Sequence, residues 1–94
     1  MGLAQFDADK LAEAEISLMD ALLIEPARVG EWTVLGMVFA QKGDQRSALG
    51  ALLNAHRFSK DQAKTVGYFT QLAETDPRTS VREAAAEAMR QAGP

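Results

Sequence analysis

Few side chains in this chain are suited to covalent or acid–base chemistry. His56 is the single histidine and there is no cysteine among the 94 residues. A nucleophile–base pair, a thiolate metal site or a disulfide framework therefore has nothing to be built from. The acid nearest His56 in sequence is Asp61, and no pair of carboxylates converges with it. Gly30, Gly36, Gly43, Gly50 and Gly67 are dispersed, so there is no glycine loop to cradle a phosphate. We expect no enzyme activity, no catalytic residue, no cofactor and no metal. Glu13, Glu15, Asp20 and Glu25 read as the solvated face of an amphipathic helix, and His56 as a surface or rim histidine. The net charge is −3 with Lys and Arg scattered, which disfavours binding to nucleic acid or to an anionic membrane.

What remains is surface, and the helices must form it. The chain is 47% hydrophobic with only 6% aromatic residues, a composition suited to helices packed through Ala and Leu. Its length suits one domain with a modest core. Leu11, Ala14, Ile16, Leu18, Ala21 and Leu22 predict an apolar helix face over residues 8–25, ended by Pro26. A second helix is expected over 28–42, stopped by Gly43, and a third over 45–58, capped by Asp44. Ser59 and Gln62 have capping-box spacing and predict a fourth helix running to about residue 75. Asp76-Pro77 and Ser80/Glu83 are two starts for a fifth helix, between 77 and 81, which ends near Gly93-Pro94. The short connections predict antiparallel neighbours.

These helices carry a repeat. Ala14 and Ala48, Leu18 and Leu52, and Ala21 and Ala55 are each 34 residues apart, as are Gly2 and Gly36. Small residues at Gly36, Ala48 and Ala55 let helix axes approach, and Trp32, Leu35, Phe39 and Leu52 fill the space around them. A helical period of this length points to stacked hairpins. Trp32, Leu35, Gly36, Phe39, Ala48, Leu52 and Ala55 resemble the tetratricopeptide repeat. The resemblance implies an all-α, short right-handed solenoid of about five helices. Residues 29–62 are its complete repeat, 1–28 the second half of a preceding one, and 63–94 a divergent terminal hairpin slightly similar to a HEAT helix. Leu52 and Lys60 depart from the family, which usually has an aromatic residue and a proline there. Adding 34 to Ala48 gives Arg82, whereas 37 gives Ala85, so a longer turn over 74–80 is expected.

In the family, first helices of successive hairpins line a groove. The resemblance thus implies a partner-binding groove at Thr33, Val34, Met37 and Gln41, facing Lys64, Tyr68 and Gln71, with Gly30, Ala40, Gly67 and Glu74 nearby. Thr33 and Met37 stand where a carboxylate clamp would need a cation and an amide, so docking of acidic peptide C-termini is not expected. Met1 and Gly2 fall at the offset of Leu35 and Gly36, halfway through a hairpin. The first long helix then lacks most of a partner, and Leu3, Phe6, Leu11 and Leu18 become a candidate self-association surface. A longer native protein, a homodimer, or residues 1–7 folding back would each answer this.

The expected function is a protein–protein interaction module for a peptide or helix. A secretion- or assembly-type chaperone and an accessory domain of a larger enzyme are the alternatives. No signal-peptide or membrane-spanning pattern is present, and with no cysteine this suggests a cytoplasmic setting.

Overall fold

Each break in the helical pattern leaves only three or four residues of connection, too few for anything but a reversal of direction. The computed structural model describes residues 8–92. Among them are five α-helices and no strand: α1 (Ala8–Ile24), α2 (Val29–Gln41), α3 (Gln45–Phe58), α4 (Gln62–Thr75) and α5 (Thr79–Ala92). The fold is all-α. The expectations at Met1, Gly2, Leu3, Phe6, Gly93 and Pro94 lie outside the described residues.

The α2–α3 turn is built as its sequence predicts. Gly43 has φ +87°, a conformation that L side chains rarely adopt. Its N–H donates to Ala40 O, and the Asp44 N–H donates to Phe39 O, the two bonds of a Schellman closure. Asp44 Oδ1 then accepts the Ser47 N–H at 3.1 Å and opens α3. That backbone hydrogen bond holds the Asp44 carboxyl below its ordinary range.

The next two helix starts differ from expectation. Asp61, not Ser59, caps α4: its Oδ1 accepts the Lys64 N–H at 3.1 Å. Ser59 Oγ instead accepts from the Asp61 N–H and from Thr65 Oγ1, and the Gln62 amide donates to His56 O. Both residues of the expected box are thus committed to the turn. α5 begins at Thr79, within the expected window, but Pro77 precedes it by two residues. The Asp76 carboxylate accepts the Arg78 N–H and is gripped by the Arg78 guanidinium, which closes the turn before the helix starts. α4 extends through Thr75, so the connection is three residues, 76–78, rather than the longer turn expected. The Arg78 hydrogen bond holds the buried Asp76 carboxyl below its ordinary range.

The main core lies between α2, α3, α4 and α5. Ala40, Ala48, Leu52, Ala55, Phe69, Leu72, Val81, Ala84, Ala85 and Ala88 are all buried there. Gly36 lets α2 and α3 approach: a Cβ on it would sit 2.8 Å from Leu52 Cγ and Cδ2 and 3.2 Å from Ala48 O. α5 touches α2, α3 and α4. Its Val81, Ala84, Ala85 and Ala88 face supplies the small side chains that packing against three helices requires. α2 and α4 do not pack on each other. α1 packs against α2 alone among the described helices, with Leu18 joining Leu22, Leu35 and Ala51 in a smaller cluster.

Candidate functional site

Because α2 and α4 stand apart, a groove of about 460 Å³ runs between them. Val29, Gly30, Thr33 and Val34 form its α2 wall. Ser59 and Asp61 from the turn, with Lys64, Thr65 and Tyr68 of α4, form the rest. Four of the expected groove residues, Thr33, Val34, Lys64 and Tyr68, are brought together there.

The other three are not part of it. Met37 packs against the main core, and its Sδ lies 3.9 Å from an Arg78 guanidinium nitrogen. The Gln41 side chain is half-buried and donates to Met37 O. Gln71 is exposed a turn beyond Tyr68, and its backbone carbonyl accepts from Thr75 Oγ1. Register does not separate them: positions 30, 33, 34, 37 and 41 share one face of α2, and Met37 lies a turn further along it, where it meets the main core and Arg78.

Most polar groups in the groove are already engaged. Thr33 Oγ1 donates to Val29 O at 2.9 Å and Thr65 Oγ1 to Ser59 Oγ at 2.7 Å. Asp61 is committed to its cap. No buried side-chain nitrogen or oxygen among the described residues lacks a partner. The groove therefore offers the apolar surface of Val34 and Tyr68, each 43% exposed, and the ammonium of exposed Lys64 at its rim. Gly30 has open space where a side chain would stand, so an incoming chain can lie close to the α2 backbone. This arrangement suits contact recognition of a polypeptide side chain, with one cation to orient an acidic or carbonyl group.

A second groove, of about 450 Å³, lies between α1 and α2 and was not expected from the sequence. Met19, Leu22, Leu23, Pro26, Trp32, Leu35 and Phe39 line it. Trp32 Nε1 donates to Pro26 O at 2.7 Å, and its ring stacks on Phe58 at 6.4 Å. The run Leu22-Leu23-Ile24 before Pro26 was the signal available in the sequence. Of the self-association candidates, Leu11 is buried and Leu18 is half-buried. The residues α1 leaves in solvent are instead Ile16, Met19, Leu23 and Ile24.

Among the described residues no group of three or more His, Asp or Glu side chains is placed to hold a metal ion. No described helix is long and apolar enough to cross a membrane. Compared with known proteins, the chain matches no family model, no curated sequence and no solved structure.

Proposed function

We propose that this protein is an interaction module of tetratricopeptide-like helical hairpins that holds a segment of another protein between α2 and α4. The observation that carries the proposal is the gap itself. Two helices from successive hairpins are held apart, and the groove between them presents apolar surface with its buried polar groups already paired. Such a surface recognises an apolar side chain on a peptide or helix, and Lys64 favours a neighbouring acid. The module works by binding, without a chemical step of its own.

Selection of a displayed peptide library on the intact protein tests this. Peptides recovered on the wild type should lose binding at least about tenfold on Tyr68→Ala and on Val34→Glu. Both positions are exposed, so circular dichroism should be unchanged in both variants. Selected peptides that bind both variants as well as the wild type would refute the groove as the docking site.

A further inference from the structure

α1 turns to solvent a stripe of apolar side chains that the hairpins do not use. Ala12, Ile16, Met19 and Leu23 follow at intervals of four, three and four residues, the spacing of a helix–helix seam. All four are exposed, Ile16 at 62% and Leu23 at 82%. Thirty-four residues on, the same register of α3 carries exposed Arg46, Gly50 and Arg57, with Leu53 half-buried as its one large apolar residue. The repeat therefore makes no demand for large apolar residues at the positions of Ile16 and Leu23, and only α1 carries three along this line. The stripe continues through Met19 and Leu23 into the α1–α2 groove floored by Leu22 and Leu35.

The charges beside the stripe select its occupant. Glu13 and Asp20, seven residues apart, border it on one side, are exposed, and form no ion pair among the described residues. Glu15 lies toward the other side and is held by Lys42. The nearby cations do not answer Glu13 and Asp20: Lys10 lies further round the helix, and Arg28 is engaged by Glu25 and Glu31. Two copies of α1 laid antiparallel, seam to seam, would set Glu13 of each against Asp20 of the other, and like charges across such a seam are unfavourable. A second copy is thus a poor occupant. We infer that α1 docks an amphipathic helix of another protein whose apolar seam has the same four–three spacing and is bordered by Lys or Arg.

The test uses the intact protein and three synthetic helical peptides. One has Leu at four–three spacing with Lys borders, one has the same seam with Glu borders, and one is the Lys peptide scrambled. Labelled-peptide anisotropy and Trp32 fluorescence, from the lone tryptophan at the edge of the stripe, report binding. The Lys-bordered peptide should bind at least about tenfold tighter than the other two, and more weakly as salt is raised. The double substitution Ile16→Lys/Leu23→Lys should abolish binding with helix content retained. Glu13→Lys/Asp20→Lys should reverse the preference to the Glu-bordered peptide. Tyr68→Ala should leave this binding unchanged, which keeps it separate from the α2–α4 groove. Equal affinity for the three peptides, or a preference that charge reversal leaves in place, would overturn the proposal. So would sedimentation showing a dimer that Leu23→Lys disperses, because a second copy would then be the occupant.

Discussion

α1 and α3 carry the same small–large–small pattern 34 residues apart and end up in different surroundings. Ala48, Leu52 and Ala55 are at most 1% exposed, whereas Ala14, Leu18 and Ala21 are only half-buried. The side chains at these positions are identical in kind, so the difference lies in the neighbours. α3 is enclosed by α2 on one side and by α5, with some help from α4, on the other; α1 has α2 alone among the described helices. A helical repeat thus specifies which face is to be covered, and burial depends on what is stacked against it. The same asymmetry leaves α1 as the helix with apolar surface to spare.

That comparison can be attacked at matched positions. Leu52→Ala removes a side chain enclosed on two sides and should cost about 2–5 kcal/mol, read from thermal or denaturant unfolding. Gly36→Leu would drive a side chain into Leu52, which is itself locked in the core, and should cost about 1–3 kcal/mol with a change in Trp32 fluorescence. An unchanged melting curve would contradict the close approach of α2 and α3.

Acid should loosen the α4–α5 corner on which α3 depends. The Asp76 carboxyl is depressed in the folded protein by Arg78, so its contribution is intact above the unfolded value near about 3.9 and is lost as pH falls below it. Asp44, Glu31 and Glu87, also depressed by their hydrogen-bond donors, add to the same slope. Asp76→Asn should therefore flatten the loss of stability below about pH 4 relative to the wild type, measured by urea midpoints across pH. An identical slope would remove Asp76 from the account.

At the matched α1 position the effect should shrink. Leu18→Ala should cost about 1 kcal/mol, well short of its counterpart Leu52→Ala. If the two cost the same, α1 is as well enclosed as α3 and the contrast fails. Leu23→Lys, at a position 82% exposed, should shift stability by no more than about 0.5 kcal/mol. A large loss there would place Leu23 in a packed interface within the monomer.

Helix boundaries were legible because the caps are local chemistry. Gly43, Asp44 and Pro26 act on their immediate neighbours, and the helices end where these residues stand. The α4 and α5 starts were less legible because two capping residues competed in each turn. Asp61 prevailed over Ser59 through Lys64, and the grip of Arg78 on Asp76 deferred the start of α5 to Thr79. Four groove residues were placed by register from the family resemblance. Met37, Gln41 and Gln71 were placed with them by that resemblance, yet Met37 packs against the main core, the Gln41 amide bonds back to its own helix and Gln71 is exposed beyond the groove lining. How far a groove runs along a helix face depends on where the next helix arrives, and the arrival of α5, rather than α4, against α2 cannot be read from a period of 34. The α1–α2 groove depends on the same kind of information, since its walls are residues 13 positions apart such as Met19 and Trp32.

Native-state hydrogen exchange, followed helix by helix, tests most directly whether stacked neighbours create the core from a repeated pattern. The account predicts that amides of α2, α3 and α5 open only near the global unfolding free energy, while α1 amides exchange through a distinctly cheaper opening. Protection in α1 equal to that in α3 would contradict it.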